Sequence, residues 1–176
     1  MNTIPLANFL GFVSLCSYIA SLLPTILKIA FPQTKKTSIL KLLFKYRRQI
    51  GLIAFVFAFF HGLLLVRKRN FDFFDLQTYW IYIQGVATLL IFTLLAITSN
   101  DWSVKKLRRN WKKLHSLTYL AMFILIWHIW DKMLAHWSFL TPICLLQLMI
   151  IVSLFIWRKW LEHQAKTLRK ISSRKT

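Results

Sequence analysis

The chain has 176 residues, of which 57% are hydrophobic and only 16% charged, with a mean hydropathy of +0.52 and a formal net charge of +19. Soluble domains carry about 25% charged residues, so this composition excludes an ordinary water-soluble fold and indicates a polytopic membrane protein. The positive charge does not point to nucleic acid: the basic residues form runs that alternate with apolar stretches, the pattern of cytoplasmic loops, and do not decorate one soluble face.

With four Gly and four Pro, no internal repeat and no low-complexity segment, no linker is visible. The chain reads as a single transmembrane domain over 1–176, with a basic cytoplasmic tail over 159–176. Cys16 and Cys144 both lie inside apolar runs, with no CxxC or CxxCH spacing. They read as packing residues without a disulfide, and neither a zinc site nor covalent haem attachment is supported. The first apolar run lacks a charged leader and a small-residue cleavage site, so it is expected to be a retained helix.

A membrane helix needs about 20 largely apolar residues. Five stretches qualify, and the predicted fold is an all-α bundle of five transmembrane helices, with six as the variant. The first runs from Ile4 to Ala30 and contains Pro24, a source of a kink. Between it and the next lies Thr34 to Gln49, basic but carrying Ile39, Leu40, Leu42, Leu43 and Phe44. This segment is expected either as an interfacial amphipathic helix or as an extension of helix 2. The second span is Ile50 to Val66, the third Tyr79 to Thr98, the fourth Leu114 to Trp130 and the fifth Phe139 to Trp157. The tail from Arg158 reads as a frayed helix at the anionic leaflet. Of the 24 Lys and Arg, only Arg67, Lys68, Arg69 and Lys132 fall on one side of this arrangement. Positive residues favour the cytoplasm, which puts the N-terminus outside and the C-terminus in the cytoplasm, in what is expected to be a bacterial inner (plasma) membrane.

Helices 2 and 4 then run in the same direction, and each carries a histidine near its outer end, His61 and His128. Imidazole within hydrocarbon is costly and usually functional. Two at matching depth on neighbouring helices suit axial ligation of a b-type haem between apolar walls, with Phe57, Phe59, Phe60, Phe123, Trp127 and Trp130 as candidate walls. The alternative is that each histidine merely hydrogen-bonds a neighbouring helix. His115 lies thirteen residues before His128, roughly 20 Å along a straight helix and rotated by about 140° from it. The level opposite on helix 2 holds Arg47 and Arg48 instead of a histidine. His115 therefore serves a second haem, or anchors a phosphate, a quinone head group or a haem propionate. Arg47 and Arg48 suit carboxylate or phosphate, although the cytoplasmic excess of basic residues already accounts for them. His136 and His163 read as solvated, and Asp101 and Asp131 as helix-boundary residues. Hydrolytic chemistry finds no nucleophile elbow, no HExxH and only five carboxylates.

The runs RRQIGLIAFVFAFFHGLLL, LLAITSND and LRRNWKKLHSLTYLAMFILIWHIW resemble the ferric-reductase-like transmembrane domain. Within it they are most similar to the MsrQ (YedZ) family, haem-bearing membrane subunits that serve a periplasmic methionine-sulfoxide reductase. The resemblance extends from about Ser21 to Trp130. It implies that His61 and His128 ligate a b-type haem and that His115 serves a second haem or cofactor site. It also implies a flavin (FMN) or quinone donor on the cytoplasmic side, and an electron acceptor at the outer face such as a methionine-sulfoxide reductase catalytic subunit. The related NADPH oxidases and ferric reductases carry two histidines on the counterpart of helix 2, where this chain has Arg47 and Arg48 at the inner place. Family members commonly have six helices. No flavin and nicotinamide domain is visible here, so the chain is expected to need a separate donor and to act as an electron-transfer subunit. The rival readings are a ferric or cupric reductase acting directly at the outer face, with Asp72, Asp75 and Asp131 as thin support, and a non-redox membrane accessory subunit.

Overall fold

The computed structural model describes residues 3–68, 76–135 and 138–172. Among them all regular structure is helical. α1 (Thr3–Ala30) is followed by a 3-10 turn (Pro32–Lys36), α2 (Ser38–Lys68), α3 (Leu76–Ile97), two short helices α4 (Asp101–Leu107) and α5 (Arg109–His115), then α6 (Leu117–Ala135) and α7 (Leu140–Ser172). Five segments are long and apolar enough to cross a membrane: Pro5–Ala30, Ser38–Arg67, Tyr79–Ile97, Arg109–Leu134 and Leu140–Leu168. These are the five spans expected from the hydropathy, and the chain is a multi-pass membrane protein. Arg69, Asp72, Asp75 and His136 lie outside the described residues.

The basic stretch before helix 2 turns out to be its extension. α2 is one helix of 31 residues, about 46 Å long, which exceeds the roughly 30 Å hydrocarbon layer. Its first turns, with Lys41, Lys45, Arg47 and Arg48, therefore reach past the apolar zone. The C-terminal tail, expected to fray, continues α7 as a helix to Ser172, and Arg158 in it binds Glu162 and the Tyr119 hydroxyl at 2.9 and 2.8 Å. His163 is exposed, as expected.

The fourth span and the chain leading into it do not form the single straight helix expected. Asn100 caps α4 by accepting the Ser103 N–H at 2.7 Å, with Asp101 in the first turn, an arrangement that favours a helix start. Arg108 takes φ 45° between α4 and α5, a conformation that a side chain disfavours, so the helix is interrupted there. α5 ends at His115, Ser116 caps it, and α6 begins at Leu117. His115 and His128 consequently stand on different helices.

α1 packs on α2 and α7, α3 on α2 and α6, and α6 on α7, which closes the five long helices into a ring. α1 contributes most to the interior, burying Leu15, Tyr18, Leu22, Ile26 and Ala30, a stripe at three- and four-residue spacing on one helix face. α7 answers with Thr141, Cys144, Leu148, Ile151 and Val152. Lipid tails are as apolar as leucine, so packing and interhelical hydrogen bonds have to hold such a bundle together. Ser14 Oγ donates to the Ala54 carbonyl at 2.8 Å, joining α1 to α2, and Tyr18 OH donates to the Thr118 carbonyl at 2.5 Å, joining α1 to α6. Cys16 and Cys144 are both free thiols.

Leu22 is 1% exposed and Leu90 is 60% exposed. Leu22→Ala is expected to destabilise the bundle by about 2–5 kcal/mol, through lost packing and a cavity. Leu90→Ala should cost much less, and thermal unfolding of both variants in detergent micelles measures the difference.

Candidate functional site

Because the ring places α3 between α2 and α6, the two histidine-bearing helices face one another across an internal space. That space is a cavity of about 480 Å3, lined by His61 from α2 and His128 from α6 together with residues of α1, α3 and α7. The pair singled out in the sequence is thus brought to one cavity.

Each imidazole is held in the same way. His61 Nδ1 lies 2.6 Å from the carbonyl oxygen of Ala7 on α1, and His128 Nδ1 lies 3.1 Å from that of Ile81 on α3. A carbonyl can only accept, so both rings carry their hydrogen on Nδ1 and donate it. The lone pair is left on Nε2, the nitrogen a metal would take. A backbone carbonyl or carboxylate behind the second nitrogen is the usual support of a ligating histidine.

The helices α1 and α3 are built to accept these rings. A helical carbonyl at position i already receives the N–H of i+4, and the side chain at i+4 leans back over it. The residue four after Ala7 is Gly11, and the residue four after Ile81 is Gly85. A Cβ on Gly11 would stand 2.9 Å from Cε1 and Nδ1 of His61, and one on Gly85 would stand 3.3 Å from Cε1 of His128. Two of the chain's four glycines are thus spent on letting an imidazole reach a carbonyl that is already in use.

The wall residues differ from those expected. Phe60, Phe123, Trp127 and Trp130 are 47–66% exposed and face outward, where aromatic residues meet lipid and interface. Of the aromatic residues expected, Phe59 alone lines the cavity, which Phe12 and Phe92 also line. A helix presents only one face inward, and the face carrying His128 is not the one carrying Trp127 or Trp130.

His115 belongs to a second cavity of about 330 Å3, lined also by Arg47, Arg48, Trp111, Asn100 and Asp101. The sequence expectation that His115 finds arginines opposite it holds. Its ring stacks on Trp111, with centroids 4.0 Å apart, and Trp111 Nε1 donates to the Thr98 carbonyl at 3.0 Å. The polarity of His115 is the reverse of the other two. Its Nε2 lies 3.2 Å from Thr98 Oγ1, whose hydroxyl donates to the Leu94 carbonyl at 2.7 Å. With that hydrogen committed, Thr98 accepts, and His115 carries its proton on Nε2. Arg48 pairs with Asp101 at 2.9 Å at an exposed position, and such a pair is worth about 0–1 kcal/mol. Arg47 makes no ion pair among the described residues.

Tyr18 and Phe92 line both cavities. Their rings are 5.1 Å apart and nearly inaccessible, so they form the wall between the two spaces. Gly11, Gly85, Thr98 and Trp111 were not read from the sequence as site residues. The available signal was the scarcity of glycine, which inside membrane spans marks close approach.

Residues 10–126 match the family described as ferric reductase like transmembrane component. The match takes in His61 and His115 and ends two residues before His128. Similar curated proteins are the protein-methionine-sulfoxide reductase heme-binding subunits MsrQ of Brucella ovis, Brucella canis and Brucella suis. Each is 36% identical over 85 residues, covering 46% of this chain and 39% of the relative. The match therefore spans well under half the length of those relatives. Five membrane-crossing helices around a shared cavity, with two-thirds of the chain inside the family match, identify the chain as a member of the ferric reductase like transmembrane component family.

Proposed function

We propose that this chain is a membrane haem subunit that carries electrons across the bilayer, with His61 and His128 as the axial ligands of one b-type haem. The observation that carries this reading is the matched support of the two imidazoles. Both give their Nδ1 hydrogen to a backbone carbonyl beside a glycine, and both keep an Nε2 lone pair, the donor set that haem iron accepts. A pair of histidines serving only as interhelical hydrogen bonds would have no need to line a common cavity of about 480 Å3. The name of the MsrQ relatives, heme-binding subunits, supports the same assignment.

When bound there, haem supplies a one-electron carrier within the hydrocarbon layer. The residues around it fix ring orientation and exclude water, and the cavity wall is closed on the inner side by Tyr18 and Phe92. The basic ends of α2 and α5 lie on the side expected to be cytoplasmic, and the N-terminus on the outer side. Electrons would enter from a flavin such as FMN or a quinone at the His115 cavity, where Arg47 and Arg48 suit phosphate or carboxylate. They would leave to an acceptor at the outer face. By likeness to the MsrQ relatives, that acceptor is a methionine-sulfoxide reductase catalytic subunit in a bacterial inner membrane. A direct metal reductase is less favoured, because Asp131, a described carboxylate at that end, is engaged by Gln84 at 2.7 Å.

The protonation of His115 favours a cofactor anchor over a second haem. Its Nε2 hydrogen is given to Thr98, so the nitrogen that ligates in the outer pair is occupied here.

Protein purified after haem-replete expression should show a Soret band that shifts on dithionite reduction. His61→Ala and His128→Ala should each abolish it, and haem retained with an unaltered spectrum in either variant would remove the ligand pair. Gly11→Ala pushes a methyl into the His61 ring, and an equivalent loss of support behind a metal ligand lowers affinity about 10–100-fold. Titration of apoprotein with haem should show a loss of that order, and a smaller one for Gly85→Ala, where the contact is longer. His115→Ala should leave haem content unchanged while slowing reduction by a flavin or quinol donor, with dithionite reduction unaffected. A halved haem content would instead establish a second haem.

A further inference from the structure

The short helix α4 forms one wall of the His115 cavity. Asp101 and Val104 line that cavity together with the cap residue Asn100, and Arg47 and Arg48 line it from α2. Little holds α4 in place. Ser103 is the one buried residue of its seven, and the helix packs mainly on α5. Trp102 is 67% exposed, and its ring carries Lys106 of the same helix at 4.4 Å. Among the described residues, the Arg48–Asp101 pair at 2.9 Å is the one side-chain hydrogen bond or ion pair that joins α4 to another helix.

Both ends of α4 are non-helical joints. Asn100 is extended, with φ −137° and ψ 162°, and Arg108 takes φ 45°, a conformation that a side chain disfavours. Residues at the ends of an element are where hinge motion is absorbed, and a helix with few buried contacts opens at little cost. The side chains of Arg48 and Asp101 are 44% and 86% exposed, so water competes for both and the pair holds α4 only weakly. A phosphate or carboxylate group matches a guanidinium as well as the Asp101 carboxylate does. Arg47, beside Arg48 in the same cavity, makes no ion pair among the described residues. A phosphate drawn to both arginines therefore gains more than the single carboxylate that it displaces.

We infer that Arg48 and Asp101 form a displaceable latch, which holds α4 against the His115 cavity until an anionic group takes the place of Asp101 on Arg48. Asp101 is a built-in competitor for the site, and it favours ligands that carry phosphate or carboxylate over neutral ones. That the arriving anion belongs to the electron donor rests on the reading above, whereas the latch rests on the geometry of α4.

The test reads access to the cavity directly. Ala96 lines it, one turn of α3 before Asn100. A neutral, water-soluble maleimide should modify full-length Ala96→Cys protein in detergent at a rate set by the opening of α4, followed at residue 96 by peptide mass spectrometry. In that background Asp101→Asn and Arg48→Gln should each raise the rate about 2–5-fold, the range that an exposed ion pair supplies. The double variant should go no further than either single one, and Asp101→Glu should keep the slow rate. With the pair intact, inorganic phosphate should speed the reaction relative to chloride at the same ionic strength, and in Asp101→Asn it should add nothing. Unchanged rates in Asp101→Asn and Arg48→Gln would overturn the latch, as would an intact pair that is indifferent to phosphate. FMN should act as phosphate does, and riboflavin, which lacks the phosphate, should not. A latch that answers to phosphate and ignores FMN would instead remove FMN as the donor and leave the latch standing.

Discussion

The structure depends on an imidazole reaching a helical carbonyl that already has a partner. A carbonyl oxygen has two lone pairs, and in a helix one is taken by the N–H four residues on. The second is accessible only where the side chain at that later position is missing. Gly11 and Gly85 provide that opening on α1 and α3, and His61 and His128 use it. One contact thereby satisfies a polar group inside hydrocarbon, fixes the tautomer of the ring and sets the distance between two helices.

The remaining architecture follows from this. α1 and α3 stand behind the two rings, so α2 and α6 are held apart and a cavity opens between them. The hydrogen bonds of Ser14 to Ala54 and Tyr18 to Thr118 tie α1 to α2 and α6, and its stripe of buried residues meets α7. The His115 cavity has a different origin. It exists because the chain is interrupted at Arg108, just before the fourth span, and again at Ser116 within it, which lets Trp111 and His115 stack against the end of α3 opposite the basic start of α2. The two cavities thus differ in protonation logic, with Nε2 open in His61 and His128 and engaged in His115.

Much of this was legible from the residues. Apolar run length is a direct consequence of bilayer thickness, so the five spans could be counted before any packing was known. The scarcity of polar residues in those runs made His61 and His128 conspicuous, and the opposition of His115 to Arg47 and Arg48 followed from helix register. The aromatic walls were misassigned because Trp127 and Trp130 are close to His128 in sequence while pointing away from it around the helix. The start of α4 was signalled by Asn100 and Asp101, a capping pair, but the break that follows it rests on Arg108, a residue that nothing in its type marks as a turn.

The sequence by itself determined the number of crossings, the side that carries the positive charge and the identity of the histidines available for a site. These are properties of single segments in a known solvent. Only the tertiary structure decided which carbonyl stands behind each ring, which nitrogen is left open and which glycines permit it. It also decided that Lys132 meets Asn8 across more than a hundred residues of chain. Those outcomes depend on how helices rotate and cross, and in lipid that is settled by close packing and hydrogen bonds between segments, with little hydrophobic driving force to make it readable from one segment alone.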